Sequence, residues 1–396
     1  MADHARDHAS PEALRSALLT GRARVLVIGG AGYIGSVLCR LLLTQGYNVR
    51  VLDALFYGDE SVRPLLPDTR FELRRGDSRD VTALVAAMRD VQAVVHLGEI
   101  VGDPACSLDE RTTREINLGA TLTAAKVAKG LGIRRFVYAS SCSVYGASDE
   151  LLDESSALNP LSLYARAKIG AERALIDIQD GDFSPVILRL ATVFGLSPRP
   201  RFDLVVNLLT ARAVTDRTIT VIGGDQWRPF VHVSDVARVI AECLRRPLSA
   251  VAGERFNVGS DTENYTIQQI GEIVARAVPE ASISVIRGEG DPRNYRVSFA
   301  KIRRVLGFES AVPVGHGVAE LRDAIHAGRI ADYRDMRYSN VQTLSDPEGN
   351  RSLRPKRIDY LREPVPIVHP DTPPLRREQV PVAEQLPGRA PILQTA

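Results

Sequence analysis

The sequence predicts an α/β protein built on a doubly wound parallel sheet, with a smaller lobe formed by the second half of the chain. From Arg24 onward, short apolar runs rich in β-branched residues alternate with amphipathic stretches of helical length. This alternation is typical of βαβ units around a sheet that is buried on both faces. The predicted strands lie at residues 25–28, 49–52, 93–97, 136–139 and 186–190. The predicted helices between them lie at residues 36–44, 81–88, 118–129 and 164–178.

The composition argues against several classes of protein. The 50 basic side chains are nearly balanced by 48 acidic ones, so the charge does not favour binding to nucleic acid. The apolar runs are shorter than the roughly 20 residues that a membrane-spanning helix needs. Charged residues precede the first apolar run, which does not suit a signal peptide, and the four cysteines are far apart. We therefore expect a cytoplasmic protein without a metal site or disulfide framework.

The pattern divides the chain into four regions. Residues 1–22 form a polar lead-in, and residues 23–195 form a nucleotide-binding domain that also carries the catalytic residues. Residues 196–330 have a less regular alternation and are interpreted as a substrate-binding lobe, partly interleaved with the first domain. Ten of the 23 prolines lie in residues 347–396, a density that predicts an extended or disordered tail.

A glycine-rich turn with the sequence GGAGYIG joins the first predicted strand to the first predicted helix at residues 29–35. In such a turn the first glycine permits a tight bend, and the second lets the backbone approach a pyrophosphate. The third allows close packing of helix on strand, while the helix N-terminus supplies amide donors. The candidate cofactor-binding residues here are Gly29, Gly32, Tyr33, Ile34 and Gly35.

The ends of the next strands supply further candidates for the same site. Asp53 ends the second predicted strand, where a carboxylate accepts hydrogen bonds from the adenosine ribose and repels a 2′-phosphate. The predicted cofactor is therefore NAD rather than NADP. Asp77 and Ser78 are expected to meet the adenine ring. Leu97 and Gly98 are expected to border the cofactor.

Two polar residues on either side of Leu97 are harder to assign. His96 lies within an apolar run, which favours a core histidine with a satisfied hydrogen bond over a catalytic one. Glu99 faces the ribose or cofactor, or it caps the following segment. The sequence leaves these alternatives for Glu99 open.

Tyr164 and Lys168 stand four residues apart on one face of a predicted helix. A nearby ammonium lowers the pKa of a phenol, so this pair can act as a base near neutral pH. The chain has only five lysines, which makes a chance pairing improbable. Ser141, at the end of the preceding predicted strand, can hydrogen-bond the oxygen that Tyr164 deprotonates.

With these motifs in order, the chain resembles the extended short-chain dehydrogenase/reductase family, especially its nucleotide-sugar epimerases and dehydratases. The resemblance runs from about residue 24 to residue 329 and rests on GGAGYIG, Asp53, HLGE, Asn117, SSCSVYG and YARAK. It implies a Rossmann domain, bound NAD, a nucleoside-diphosphate sugar as substrate and a homodimer. It also implies that Ser141 is the hydroxyl partner of Tyr164, and that Lys168 binds the nicotinamide ribose.

The resemblance carries over to the second half of the chain residue by residue. It implies that Arg228, within GGDQWRPFVHVSD, and Arg293, within DPRNYR, bind the substrate diphosphate. Asn207 stands in the region that usually folds over the nucleotide base. Thr192 replaces an asparagine that often touches the sugar phosphate, and Ser143 is a further candidate for substrate contact.

Several functions remain open at this stage. The favoured function is 4-epimerisation through a keto sugar. The alternative is a one-way dehydrogenase or ketoreductase that uses the same residues. A non-catalytic NAD-binding protein is less favoured. A 4,6-dehydratase is not expected. The dehydratases that this chain resembles carry an Asp-Glu pair directly after the strand-end serine or threonine, where this chain has Cys142 and Ser143.

Overall fold

The structure, a computed structural model, describes residues 23–288, 291–347 and 353. The predicted lead-in and nearly all of the predicted proline-rich tail lie outside these residues. The strands are β1 Arg24–Ile28, β2 Asn48–Asp53, β3 Phe71–Arg75, β4 Ala93–His96, β5 Arg135–Ser141, β6 Ala147–Leu152, β7 Ser184–Leu190, β8 Thr192–Phe194, β9 Thr218–Ile222, β10 Trp227–His232, β11 Arg255–Val258, β12 Asn264–Thr266, β13 Ser282–Ile286 and β14 Asn294–Val297.

The helices alternate with these strands through the first half and dominate the second. They are α1 Tyr33–Thr44, α2 Val81–Met88, α3 Asp103–Cys106, α4 Glu110–Arg114, α5 Thr121–Gly130, α6 Leu163–Asp177, α7 Val205–Asp216, α8 Val233–Arg245, α9 Leu248–Val251, α10 Ile267–Ala277, α11 Ala300–Leu306, α12 Val314–His326 and α13 Asn340–Ser345. A wide helical turn, Glu115–Ala120, leads from α4 into α5. None of the helices in the described part of the chain is both long and apolar enough to cross a membrane.

Seven parallel strands form the central sheet in the order β11-β7-β5-β4-β1-β2-β3. Successive residues of a strand point to opposite faces, and β1 shows how both faces are buried. Val25 and Val27 belong to the same apolar cluster as Leu38 of α1. Leu26 and Ile28 belong to a second cluster, on the other face, with helices α2, α5 and α6. The predicted doubly wound α/β fold is confirmed.

The second half of the chain is not a separate unit. Strand β11 pairs in parallel with β7 and completes the large sheet, while α8 packs against α1. The remaining elements form a smaller lobe, in which α7, α10 and α12 enclose an apolar cluster with β9 and β10. Two small sheets, β12-β10-β8 and β14-β6, connect this lobe to the first half, and a third, β13-β9, lies within the lobe.

This topology brings the candidate residues together. Ile28, Asp53, His96 and Ser141 are the last residues of β1, β2, β4 and β5, and the carboxyl ends of parallel strands lie along one edge of the sheet. In open α/β sheets the ligand binds at this edge, where the strand order reverses. In this chain the order reverses between β1 and β4.

Candidate active site

The glycine turn is built by a close contact between two neighbouring strands. Gly29 has a φ of +82°, and a Cβ atom there would lie 2.6 Å from the Cα atom of Gly98. Gly35 stands against the carbonyl of Gly29 in the same way. At Gly29 both the positive φ and the lack of space exclude a side chain, whereas at Gly35, within α1, the lack of space alone does so. The bare backbone that results is the kind of surface a pyrophosphate can approach.

Three of the predicted cofactor residues pack their side chains against other protein groups. The Tyr33 hydroxyl is buried and donates to the carbonyl of Gly195 at 2.7 Å. Ile34 and Leu97 pack against the main apolar cluster. Gly32 is the N-cap of α1. Gly32, Tyr33 and Ile34 thus place their backbone at the N-terminus of α1, while Ile34 and Leu97 remain partly exposed.

Asp53 holds the turn through its carboxylate. One carboxylate oxygen accepts the amide of Ala31 at 2.9 Å and the other accepts the amide of Leu55 at 2.8 Å. Each carboxylate oxygen has a second lone pair, so ribose hydroxyls can still be accepted there. Burial raises the pKa of Asp53, and the two amide bonds oppose this shift.

We expect Asp53→Ala to weaken NAD binding and to relax discrimination against NADP, because it removes both the ribose acceptor and the negative charge. The substitution also removes two amide bonds, which alone costs about 1 kcal/mol. Asp80→Ala is the matched control, since Asp80 accepts the amides of Thr82 and Ala83 at the start of α2. The measurement is the ratio of Kd values for NADP and NAD by calorimetry. A ratio equal to that of the wild type would place the ribose elsewhere.

Asp77, which is predicted to meet the adenine ring, also has a partner within the protein. Its carboxylate forms a buried ion pair with the Arg79 guanidinium at 2.7 Å. The same carboxylate accepts the backbone amide of Arg79. Arg79 in turn donates to the carbonyl of Leu353 at 3.4 Å. The side chain of Asp77 thus stabilises this turn. Ser78 is half-buried beside it.

A cavity of about 420 Å³ lies between the loop after Asp53 and the loop after Gly195. Arg199 lines it, buried, with its guanidinium 4.1 Å from the centre of the Tyr57 ring. Among the described residues, its Nε and Nη2 atoms have no hydrogen-bond partner. Burial, and next the charge of Arg201, lower the pKa of Arg199 to about 10, so the group is charged at neutral pH.

A buried guanidinium with unused donors fits an anionic ligand. The Arg199 loop is attached to the glycine turn, because the Ser197 hydroxyl donates to the carbonyl of Tyr33 at 2.7 Å. The residues present therefore fit a dinucleotide whose diphosphate lies at the N-terminus of α1. Sequence reasoning missed Arg199, since nothing but its place after Gly195 distinguishes it from the chain's many other arginines.

The predicted catalytic residues meet at the end of β5. Helix α6 begins after Ser162, whose hydroxyl accepts the amide of Ala165, and one turn of this helix separates Tyr164 from Lys168. The Nζ atom of Lys168 lies 5.5 Å from the centre of the Tyr164 ring. A hydrogen bond joins the side chains of Tyr164 and Ser141. The structure thus brings the three residues together.

The surroundings of Tyr164 favour the protonated form of its phenol. Burial is the largest cause of its raised pKa, followed by the Glu99 carboxylate and the Cys106 thiol. The Ser141 hydrogen bond and the charge of Arg201 act in the opposite direction.

Lys168 is buried and has protein partners of its own. Its Nζ atom lies 2.6 Å from a carboxylate oxygen of Glu99 and donates to the carbonyl of Ala139. Glu99, for which the sequence left two roles open, therefore faces Lys168, a predicted catalytic residue. His96 is buried, as expected for a core histidine, and its Nε2 atom lies 2.8 Å from the Thr121 hydroxyl. Burial lowers the pKa of His96 to about 3.

The segment after β5 presents one unused hydroxyl. Ser143 is buried, and its Oγ atom has no hydrogen-bond partner in the described part of the protein. Cys142 instead donates its thiol to the carbonyl of Arg189 at 3.2 Å, and burial raises its pKa. Thr192, the first residue of β8, is half-buried. Ser143 is thus available to a ligand in a way that Cys142 is not.

The two predicted diphosphate-binding arginines lie side by side. Arg228 contacts the carboxylate of Asp291 at 3.1 Å, and Arg293 contacts the same carboxylate. Although burial opposes it, the hydrogen bond and charge of Arg293 lower the pKa of Asp291 to about 2. Arg293 also reaches Asp103 of α3 at 3.1 Å, which ties this pair to the segment that follows Glu99.

Asn207 is fully buried, and its amide is occupied by the protein. It accepts the amide of Gly195 at 3.0 Å and donates to the carbonyl of Arg201 at 2.9 Å. Asn207 thus holds together the loop that carries Arg199. Among the described residues, no group of three or more His, Cys, Asp and Glu side chains could hold a metal ion.

Comparison with known proteins places this site in a family. Residues 25–259 match the model of the NAD dependent epimerase/dehydratase family. The chain is 30% identical over 312 residues to a UDP-glucose 4-epimerase of Mycolicibacterium smegmatis, covering 75% of this chain and 96% of that protein. This match and the family model agree with the motifs that carried the resemblance.

Solved structures agree in fold. A UDP-glucuronic acid 4-epimerase from Bacillus cereus, solved with UDP-glucuronic acid and NAD, superposes with a TM-score of 0.69 at 26% identity, over 77% of this chain and 99% of that one. The dTDP-glucose 4,6-dehydratase DesIV from Streptomyces venezuelae gives 0.71 at 27% identity, over 78% and 98%. Since the family model covers more than half of its length, this chain belongs to the NAD-dependent epimerase/dehydratase family and is an enzyme of its nucleotide-sugar group.

Proposed function

We propose that the protein is a 4-epimerase of a nucleoside-diphosphate sugar that acts through a 4-keto intermediate. The observation that carries this proposal is the meeting of Ser141, Tyr164 and Lys168 at the end of β5. When bound, NAD supplies reversible hydride transfer at the sugar carbon. Tyr164 takes the proton of the sugar hydroxyl and returns it when the keto group is reduced.

The other residues position the substrate in this proposal. Ser141 hydrogen-bonds the reacting oxygen, and the unused hydroxyl of Ser143 binds a neighbouring sugar oxygen. Arg228 and Arg293 bind the diphosphate, for which planar guanidinium groups are suited. In the ligand-free protein Asp291 provides the negative charge that these arginines require. A diphosphate would compete with this carboxylate.

The experiment begins with native mass spectrometry, which shows whether NAD remains bound after purification. The protein is then incubated with UDP-, dTDP-, GDP- and CDP-sugars without added NAD, with UDP-hexoses tried first. Many turnovers support epimerisation, because the net redox change is zero. A single stoichiometric turnover indicates a dehydrogenase or ketoreductase, and no turnover on the panel contradicts the proposal.

Two further features are proposed with this function. We expect a homodimer, to be measured by light scattering during size exclusion, and a cytoplasmic location, to be measured by cell fractionation. A monomer at all concentrations would contradict the first expectation. Recovery with membranes or outside the cell would contradict the second.

We expect no exchange of hydrogen at C5 of the sugar. A 4,6-dehydratase needs an acid for the leaving hydroxyl and a base for the C5 proton. At the two positions after Ser141, the buried Cys142 has a raised pKa, and Ser143 is a neutral hydroxyl. Incubation with nucleotide hexoses in D₂O followed by NMR tests this expectation. Deuterium at C5 together with a new 6-methyl group would overturn it.

A further inference from the structure

Glu99 connects Lys168 to a buried polar network. The side chains of Glu99 and Lys168 are 2% and 3% exposed, and the 2.6 Å contact between them is an ion pair whose angles fall outside hydrogen-bond geometry. The other carboxylate oxygen of Glu99 accepts the hydroxyl of Tyr138 at 2.8 Å and that of Thr121 at 3.3 Å. The Thr121 hydroxyl also contacts His96.

These contacts limit what Lys168 can do. An ammonium has three N–H donors; one is used by the carbonyl of Ala139, and the Glu99 carboxylate stands against the group. The Tyr138 ring, whose centre is 4.8 Å from Nζ, covers another side. Protein contacts therefore hold the ammonium in place, and an N–H donor remains for a ligand oxygen such as a ribose hydroxyl.

The Glu99 charge also reaches Tyr164. Glu99 opposes the positive charge of Lys168, which is the charge expected to favour the phenolate. Five elements surround the phenol with titratable, charged or hydrogen-bonding groups. These groups are Glu99 after β4, Cys106 of α3, Tyr138 and Ser141 of β5, Lys168 of α6 and Arg201 in the loop after β8. Glu99 is the carboxylate of this set.

We propose that Glu99 is a positioning residue for the Tyr164–Lys168 pair, which holds Lys168 in place, balances its charge and thereby sets the pH range in which the enzyme works. This inference rests on the proposed function for its kinetic readout only. A buried carboxylate beside a catalytic lysine costs desolvation free energy. The ion pair and the hydroxyl bonds from Tyr138 and Thr121 offset this cost.

The test is Glu99→Gln, which keeps the side-chain length and an oxygen acceptor for Tyr138 but removes the charge. Loss of a negative charge stabilises the phenolate of Tyr164, so the acid-side midpoint of the kcat/KM profile should move to lower pH. We expect a shift of about one pH unit or more. Glu99→Asp, which keeps the charge, should stay close to the wild type. Glu263→Gln, which alters a buried glutamate of the smaller lobe, should leave the midpoint unchanged.

A second readout does not require a substrate. In protein labelled with ¹³C at the tyrosine ring carbon that bears oxygen, the Tyr164 resonance is assigned by its loss in Tyr164→Phe. It should titrate at lower pH in Glu99→Gln than in the wild type, with or without NAD. Identical behaviour of this resonance in the two proteins overturns the proposal, as does a kinetic midpoint that stays in place or rises. Failure of the sugar panel alone contradicts the proposed function and leaves the NMR test intact.

Discussion

Tyr164→Phe should lower kcat by about 10²- to 10⁴-fold, the usual cost of losing a positioned acid or base. The change removes one oxygen and leaves the ring that packs beside the small apolar cluster of Ile100 and Cys106. Folding and the amount of bound NAD should therefore match the wild type. The hydrogen bond with Ser141 is lost, but Ser141 also accepts the amide of Ser143 at 3.1 Å and keeps this partner.

The measurement is the initial rate on the sugar that the panel identifies, together with native mass spectrometry for NAD. Tyr265→Phe is the matched control, since it removes a hydroxyl that contacts Glu263 in the smaller lobe. The control should retain full activity. A rate of Tyr164→Phe within about threefold of the wild type would mean that another group moves the proton.

Gly29→Ala should abolish NAD binding and destabilise the protein. The new Cβ atom would lie 2.6 Å from both the Cα and the N atoms of Gly98, and these backbone atoms cannot rotate away. The positive φ adds about 1–2 kcal/mol of strain. We expect loss of bound NAD and a fall in the free energy of unfolding larger than this strain alone.

Gly132→Ala separates the two effects. Gly132 also has a positive φ, of +75°, but a Cβ atom there would meet nothing within 4 Å. This variant should lose about 1–2 kcal/mol from strain and keep its NAD. Urea unfolding and native mass spectrometry of both variants provide the comparison. Equal losses in the two proteins would show that the contact between Gly29 and Gly98 is unimportant.

The central strands of the large sheet could be predicted from the sequence, because they are buried on both faces and therefore form continuous apolar runs. The positions of β1, β2, β4, β5 and β7 agree with the prediction to within a few residues. Strand β11 was not predicted. It has only four residues, and its Arg255 and Asn257 interrupt the apolar pattern. Its place in the sheet depends on pairing with β7, which is a long-range contact that local sequence does not reveal.

Motif spacing predicted the meeting of Tyr164 with Lys168 and Ser141, because helical geometry and strand ends determine it. It did not predict the partners of buried charges. Asp77 pairs with Arg79, and the two arginines predicted to bind the diphosphate share Asp291. Such pairs form because a buried charge requires a counter-charge, and which residue supplies it depends on packing between distant segments.

The late position of β11 in the chain has a consequence for biosynthesis. All seven residues of β7 are buried in the finished protein, but their neighbour on one side is made only after β8, β9, β10 and three helices. Until Val258 has left the ribosome, the nascent chain carries an apolar strand with an unpaired edge, which is a template for aggregation. Fragments that end before Arg255 should therefore be insoluble, and chaperones that shield strand edges should matter most during this interval of translation.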